Sequence, residues 1–241
     1  MKRSLDFAVA AVSLLVLFPI FLLVCVAIWL EDKHAPFYLG RRVGVDGRVF
    51  SMVKFRSMTP QADRTGVDST AVGDPRITRV GTYIRRFKLD EFSQLVDVLM
   101  GDMSLVGPRP QVERDVGLYT DVERGLLKAR PGITDFSSIV FADEGEILRG
   151  AEDPDLRYQQ LIRPWKSRLG LHYVAVRTFW IDVRLILATV LHALDRGAAL
   201  RWVSRMVAET GGEPELVRVA LRQDELRPYP PPGATEIVTS R

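Results

Sequence analysis

A chain of 241 residues can hold one large domain or two small ones, and 47% hydrophobic with 26% charged residues is typical of a globular rather than a disordered protein. The net charge of +3 is too small to indicate a nucleic-acid-binding protein, but it is compatible with anionic substrates and lipid headgroups. The single cysteine, Cys25, excludes a disulfide framework and a cluster of thiolate metal ligands.

An apolar run from Phe7 to Leu30 contains Ser13 as its one conventional polar side chain. As a helix this run would extend roughly 36 Å at about 1.5 Å per residue, which is enough to cross a bilayer. Its apolar part is too long for a signal peptide, and no small-residue cleavage site follows Leu30, so we expect the run to be retained as a membrane anchor.

The orientation of this anchor is left open by the charges around it. Lys2 and Arg3 precede the run and further basic residues follow between 33 and 42, so the positive-inside rule places neither end outside. Pro19, near the middle, removes one backbone donor and permits a bent helix that enters and leaves the membrane on one face. A straight span with a tolerated kink is the alternative.

The body that follows the anchor is predicted to be mainly helical, of the α+β class. Residues 37–39 and 49–55 have the β-branched and apolar character of strands, and the turn signal Asp46-Gly47 between them predicts a small hairpin. Residues 60–75 are polar and rich in turn formers, which is typical of a loop. Helical patterns then occur at about 79–87, 91–100, 111–128, 154–167 and 178–196.

The last of these helical patterns is apolar over much of its circumference, which fits either a helix at the membrane interface or a buried core helix. Beyond Trp202 the composition becomes polar, and from Arg227 it becomes proline-rich, so we expect a tail that cannot build a core and whose deletion from Arg227 changes activity little. The predicted division is a membrane helix at 1–33, a catalytic domain at 34–203 and a tail at 204–241.

The adjacent carboxylates Asp90 and Glu91 lie among arginines and open a helical segment that Gly101 would close. A carboxylate that attacks a phosphoanhydride needs cations to hold and neutralise the phosphates. The segment 107–110, Gly-Pro-Arg-Pro, would fix Arg109 on a rigid mount for a phosphate. The ordinary alternatives are that Asp90 is an N-cap and that Arg109 lies in a solvated surface turn.

The order of short motifs along the chain resembles the bacterial sugar transferases, the monotopic phosphoglycosyl transferases. The resemblance extends from Lys2 to about Thr189, and its motifs are 54–58 (Lys-Phe-Arg-Ser-Met), 74–78 (Asp-Pro-Arg-Ile-Thr), 89–91 (Leu-Asp-Glu), 101–110 and 131–134 (Pro-Gly-Ile-Thr). It implies a bacterial enzyme on the cytoplasmic face of the inner membrane, anchored by a re-entrant helix with its break at Pro19.

The resemblance also implies an activity: transfer of a sugar 1-phosphate from a UDP-sugar to polyprenol phosphate, with Mg²⁺, at the start of exopolysaccharide or lipopolysaccharide assembly. Asp90 would be the nucleophile, forming an aspartyl sugar-phosphate intermediate, and Glu91 would help to bind the metal. Arg85 and Arg109 match arginines that bind phosphate, and Lys54 and Arg56 are further candidates. Membrane lipids are implied partners, and a second copy of the chain is a candidate partner.

Several positions depart from the family's pattern. The pair before the helix break is Phe18-Pro19 instead of Ser-Pro, Phe92-Ser93-Gln94 follows the dyad where Leu-Pro-Gln is usual, and residues 135–144 differ after Pro-Gly-Ile-Thr, which leaves the sugar undetermined. A catalytically silent membrane scaffold is a second hypothesis, although it is disfavoured by the presence of Asp90 and Arg109. The histidines show no ligand spacing.

Overall fold

The computed structural model describes residues 2–60, 62 and 74–240. In these residues the protein is mainly helical, with two small sheets. The α-helices are α1 Lys2–Asp32, α2 Arg79–Arg86, α3 Leu95–Met100, α4 Glu113–Gly117, α5 Phe136–Val140, α6 Glu144–Ile147, α7 Pro154–Leu161, α8 Arg163–Val176, α9 Phe179–Leu194, α10 Arg196–Glu209 and α11 Pro214–Leu221. The strands are β1 Phe37–Val43, β2 Val49–Phe55, β3 Ser104–Val106 and β4 Gly132–Thr134, and 3₁₀ helices occupy Val45–Gly47, Leu89–Gln94 and Glu123–Lys128.

The predicted hairpin is confirmed as the antiparallel pair β1–β2. Its register runs from Phe37 opposite Phe55 to Val43 opposite Val49. At the turn, Asp46 and Gly47 have φ values of 56° and 77°, a left-handed conformation that aspartate tolerates and glycine adopts freely. The predicted loop at 60–75 lies mostly outside the described residues.

A second sheet, which no sequence pattern predicts, joins β3 and β4 in parallel. The strands lie so close at one end that a Cβ on Gly132 would meet the Gly107 nitrogen at 2.0 Å, so neither glycine can be replaced without moving the backbone. The Gly132 N–H donates to the Pro108 carbonyl at 3.1 Å. This pairing connects the Gly-Pro-Arg-Pro segment directly to the Pro-Gly-Ile-Thr segment.

The core is built chiefly on α5, α8, α9 and α10, whose side chains Phe136, Leu169, Leu185 and Val203 are fully buried. The face of α9 that packs inward confirms the core interpretation of this helix. Its opposite face leaves Trp180 and Leu194 72% and 83% exposed, and Leu187 and Val190 lie along the same exposed side. That these side chains contact a membrane interface stays a prediction.

The long helix α1 is apolar and long enough to cross a membrane, and most of its apolar side chains are exposed. The helix continues through Pro19. Its first residues are held by the body, since Lys2 Nζ lies 2.6 Å from Asp182 Oδ2. Its last residues are held as well, since both Nη atoms of Arg56 lie 2.6 Å from the oxygens of Asp32. Both ends of α1 therefore contact one folded body.

The C-terminal region differs from its sequence-based description. α10 and α11 pack together, and Met206, Leu216 and Ala220 are buried in the main core. Farther on, the ring of Tyr229 lies 4.5 Å from that of Trp165. The expectation of a tail without core contacts is therefore wrong, because a few apolar side chains find partners on α8 and α10.

The predicted helix at 111–128 is also wrong in extent: two short helices replace it, α4 and the 3₁₀ helix Glu123–Lys128. The three-part division of the chain stays a prediction.

Candidate active site

The carboxylates Asp90 and Glu91 lie in the first turn of the 3₁₀ helix Leu89–Gln94, which continues into α3 and ends at Gly101 with φ of 99°. The predicted helical segment is thereby confirmed. Its N-cap is Lys88, with φ of 54°, so Asp90 is not the capping residue. In the described part of the chain, no hydrogen bond occupies the Asp90 carboxylate. Asp90 is therefore available for a ligand.

Ser93 fixes the dyad to the hairpin, a role that its departure from the family's pattern did not indicate. Its hydroxyl accepts from the Phe55 N–H at 3.1 Å and lies 3.0 Å from the Val53 carbonyl and 2.9 Å from the Asp90 carbonyl. Ser93 is fully buried, so these bonds are shielded from water. They hold the 3₁₀ helix against β2, which carries Lys54.

Arg109 contacts the dyad directly, since its Nη1 donates to Glu91 Oε1 at 3.0 Å. The pairing of β3 with β4 positions Gly107 and Pro108 before Arg109, and the Val43 N–H donates to the Gln111 carbonyl after it at 2.9 Å, so this arginine extends from a rigid support. Burial works against its charge, but Glu91, Asp90 and Glu144 together raise the pKa of Arg109 above its usual value. The guanidinium therefore stays charged beside the carboxylates.

Lys54 lies beside the same carboxylates and is half-buried. Burial and the charge of Arg109 lower its pKa to about 8, while Asp90 and Glu91 act in the opposite direction. Its ammonium group is thus close enough to interact electrostatically with both carboxylates of the dyad. The structure brings Lys54 together with Asp90, Glu91 and Arg109.

Arg85 and Arg56, the remaining candidates for phosphate binding, have different partners. Arg85 donates from Nε to Ser57 Oγ at 3.0 Å, and burial lowers its pKa, with the Asp90 charge acting against this shift. Arg85 therefore lies within electrostatic reach of the nucleophile candidate. Arg56 instead pairs with Asp32 at the end of α1, and its Nε donates to the Ala35 carbonyl at 2.8 Å. The guanidinium of Arg56 is therefore occupied by contacts with the end of α1 and the residues just after it.

A shallow cleft, of about 420 Å³ when the space open to solvent is included, extends from Arg109 between α5, α7, α8 and the 3₁₀ helix Glu123–Lys128. On one side Asp135 caps α5 and accepts hydrogen bonds from the hydroxyls of Ser137 and Ser138. Sequence patterns gave no signal for this cleft except the departure at 135–144. Its lining residues are Pro108, Arg109, Gln111, Asp115, Tyr119, Leu126, Asp135, Ser137, Tyr158, Arg163, Lys166, Ser167 and Gly170.

An apolar groove lies between α1 and the 3₁₀ helix that carries the dyad, with a volume of about 250 Å³ when the space open to solvent is included. Leu89 and Phe92, which flank the two carboxylates in sequence, form part of its wall. The other lining residues are Leu14, Leu17, Ile20, Phe21, Val24, Phe55 and Leu95. The groove therefore lies against the same 3₁₀ helix that carries Asp90 and Glu91.

The dyad fits a metal ion that also binds substrate. Among the described residues no group of three acidic, histidine or cysteine side chains forms a closed metal cage. Mg²⁺ in phosphoryl-transfer sites is commonly held by one or two carboxylates together with substrate phosphates. Asp90 and Glu91 supply that number of carboxylates, and Glu91 Oε1 is shared with Arg109.

Comparison with known proteins identifies relatives of this chain. The family model described as bacterial sugar transferase matches residues 1–196. The exopolysaccharide production protein ExoY of Sinorhizobium fredii is 37% identical, over 55% of this chain and 66% of its own length. The undecaprenyl-phosphate glucose phosphotransferase of Komagataeibacter xylinus is 34% identical, over 78% of this chain and 35% of its own length.

A further relative is the UDP-N-acetylgalactosamine-undecaprenyl-phosphate N-acetylgalactosaminephosphotransferase of Aeromonas hydrophila, 31% identical over 78% of this chain and 42% of its own length. The chain thus spans between about a third and two thirds of the length of these relatives. The family match covers the dyad, the arginine mount and the long apolar helix. The chain belongs to the bacterial sugar transferase family.

Proposed function

We propose that this protein transfers a sugar 1-phosphate from a UDP-sugar to undecaprenyl phosphate at a membrane surface. The observation that carries the proposal is the open carboxylate of Asp90 among the cations Arg85, Arg109 and Lys54. The relatives named for undecaprenyl-phosphate sugar transfer support both substrates. The name of the ExoY relative supports a role in exopolysaccharide production, and a role in lipopolysaccharide assembly stays a prediction.

In the proposed first step, a carboxylate oxygen of Asp90 attacks the β-phosphorus of the UDP-sugar. The bond from this phosphorus to the bridging oxygen breaks, and UMP leaves with the electron pair. The product is an acyl phosphate on Asp90 that carries the sugar. Arg109 and Arg85 would stabilise the negative charge that spreads over the phosphoryl oxygens.

In the proposed second step, a phosphate oxygen of undecaprenyl phosphate attacks the same phosphorus. The phosphorus–carboxylate bond breaks, Asp90 regains its charge, and the sugar leaves on a polyprenol diphosphate. A divalent metal bound by the dyad would neutralise phosphate charge when it is present. Glu91, held by Arg109, would be the carboxylate that binds it.

The acceptor would approach through the apolar groove between α1 and the dyad. Its prenyl chain would contact Phe21 and Phe92, and its phosphate would meet Lys54 and Asp90 at the polar end. We infer that α1 is re-entrant, which is supported by the contacts of both its ends with one body. The exposed side of α9, with Trp180 and Leu194, would lie at the membrane interface on the cytoplasmic face.

The sugar is the open part of this proposal, because the relatives are named for glucose and for N-acetylgalactosamine. The test is UMP release from a panel of UDP-sugars by the purified chain with Mg²⁺ and undecaprenyl phosphate. Release from one sugar, dependent on the acceptor over many turnovers, is expected. No release from any UDP-sugar, by a folded chain that retains its membrane association, would reject the activity and favour a scaffold.

A further inference from the structure

The segment 229–238, called here the C-terminal strap, contacts two elements whose neighbouring residues line the cleft, and it lies outside the family match. On α8, the Tyr229 ring lies against Trp165 with its centroid at 4.5 Å, and Arg168 Nη1 donates to the Pro230 carbonyl at 2.9 Å. In the segment before the 3₁₀ helix Glu123–Lys128, the Thr120 hydroxyl donates to the Pro232 carbonyl. Pro231 and Pro232 are buried, so the strap is packed and not merely tethered.

Thr120 connects the strap to the cleft through Glu123. The Thr120 hydroxyl accepts the Glu123 N–H at 3.1 Å, and Glu123 Oε2 accepts the Thr120 N–H at 3.0 Å. This reciprocal pair ties the orientation of Glu123 to the hydroxyl that the strap engages. Displacement of the strap would therefore change the orientation of the Glu123 side chain.

Glu123 in turn fixes two residues that line the cleft. Its carboxylate lies 3.0 Å from Arg163 Nε and accepts the Ser167 hydroxyl at 2.7 Å. Glu123 is completely buried and Arg163 is 6% exposed, so this ion pair has little access to water. A buried pair of this kind is costly to misalign, because each charge would lose its partner. The wall thus has one well-defined arrangement while the strap is in place.

Gly233 shows how closely the strap fits. Its φ is 81°, and a Cβ added there would meet Val122 Cγ2 at 2.7 Å. The strap's hydrogen bonds and ring contacts within the described residues go to Thr120, Gln160, Trp165, Arg168 and Glu215. None of these residues belongs to β2 or to the 3₁₀ helix of the dyad. The strap can therefore act on the cleft without acting on Asp90.

We propose that the C-terminal strap positions the far wall of the cleft for the donor, and so determines how tightly and how selectively the UDP-sugar binds. The proposal rests on the proposed function, because it takes the cleft as the donor site. Thr120 and the strap are positioning residues, since they act through Glu123 and Arg163. Their removal should weaken donor binding and relax sugar selectivity, whereas the chemical step at Asp90 should continue.

The test compares deletion of 229–241 with deletion of 239–241, which keeps every strap contact named above. Two point variants refine it: Gly233→Val pushes the strap away from Val122, and Thr120→Val removes the hydroxyl, with Thr120→Ser as the matched control that retains it. Donor Kd is measured in the Asp90→Asn background, where no turnover interferes. KM, kcat and the ratio of kcat/KM for two UDP-sugars are measured with Asp90 intact.

We expect the deletion of 229–241, Gly233→Val and Thr120→Val each to raise Kd and KM for the UDP-sugar about tenfold, while kcat stays within about twofold of that of the full chain. The ratio of kcat/KM between the two UDP-sugars should become smaller. The two controls should behave as the full chain. A fall in melting temperature with unchanged Kd and unchanged selectivity would overturn the proposal and leave the strap a purely stabilising element. Absence of donor binding to the full chain would instead reject the cleft as a donor site, and with it the proposed function.

Discussion

Arg109 Nη1 lies 3.0 Å from Glu91 Oε1, whereas in the described chain the neighbouring Asp90 carboxylate has no hydrogen-bond partner. Two adjacent carboxylates thus have different surroundings. The one held by an arginine is suited to a fixed role in binding, and the open one is suited to attack. The asymmetry gives a structural reason for assigning the nucleophile to Asp90, which the dipeptide alone does not provide.

The first prediction concerns this assignment. Asp90→Asn should reduce UMP release by at least about a thousandfold, because a carboxamide is a poor nucleophile towards phosphorus. Membrane association and melting temperature should stay unchanged. Asp46→Asn, in the exposed hairpin turn where φ is 56°, is the matched control and should retain full activity. Substantial UMP release by Asp90→Asn would assign the nucleophile elsewhere.

The second prediction is a pH dependence that comes from Lys54. Its pKa is lowered to about 8, so its ammonium loses a proton as pH rises through that value. The ratio kcat/KM, which reports the free enzyme, should therefore fall above about pH 8 as phosphate attraction weakens. Lys54→Arg should remove this descending limb, because arginine stays charged. Exposed Lys128→Arg is the control, and an identical descending limb in Lys54→Arg would exclude Lys54 as its source.

The third prediction concerns stability and Asp97, a fully buried residue of α3 that accepts the Val53 N–H. Burial raises its pKa from 3.8 to about 7, so the folded state binds the proton more strongly than the unfolded state. The contribution of Asp97 to the free energy of unfolding is therefore fully present below about pH 4 and is lost as the pH rises through about 7. Asp97→Asn should remove that loss and raise the melting temperature at pH 8 by at least about 2 °C. Equal melting temperatures at pH 8 would show that Asp97 stays protonated there or is stabilised otherwise.

The sequence predicted those features whose cause is local. Asp46-Gly47 specifies a tight turn, so the hairpin could be predicted from neighbouring residues alone. The two adjacent carboxylates Asp90 and Glu91 likewise indicate a charged site directly from the sequence. The motif order supplied the family. Arg56 was grouped with the phosphate-binding candidates because it lies in one of these motifs, yet its guanidinium pairs with Asp32, which lies far back in the chain.

What the sequence did not predict depends on contacts between distant segments. β3 and β4 are three residues each, too short for a periodic pattern, and they pair because Gly107 and Gly132 allow close approach. The buried pair of Glu123 and Arg163 joins positions 40 residues apart. The strap was misjudged because proline-rich composition resembles disorder, whereas Tyr229 has a ring partner that no local pattern reveals.

The fourth prediction concerns topology. Because Lys2 and Asp32 at opposite ends of α1 contact one body, tags at residues 1 and 241 should both be protected in intact cells and labelled after permeabilisation. Pro19→Leu should favour a spanning helix and expose the N-terminal tag, since it restores a backbone donor and removes a clash. Labelling of the N-terminal tag in the unaltered chain would establish a span instead.

The last prediction separates the two proposed half-reactions. If Asp90 forms a covalent intermediate, UDP-sugar and Mg²⁺ without undecaprenyl phosphate should give a burst of UMP stoichiometric with the protein, and the protein mass should increase by one sugar phosphate.

Initial rates with both substrates should then show ping-pong kinetics. Arg109→Ala should slow both the burst and the transfer to acceptor, because each step passes through a transition state whose phosphoryl oxygens that arginine would contact. Arg124→Ala, an exposed residue of the 3₁₀ helix Glu123–Lys128, is the matched control. Direct attack by undecaprenyl phosphate predicts instead no burst, no adduct and intersecting kinetic lines. Full activity without any adduct would leave Asp90 as a base or a metal ligand.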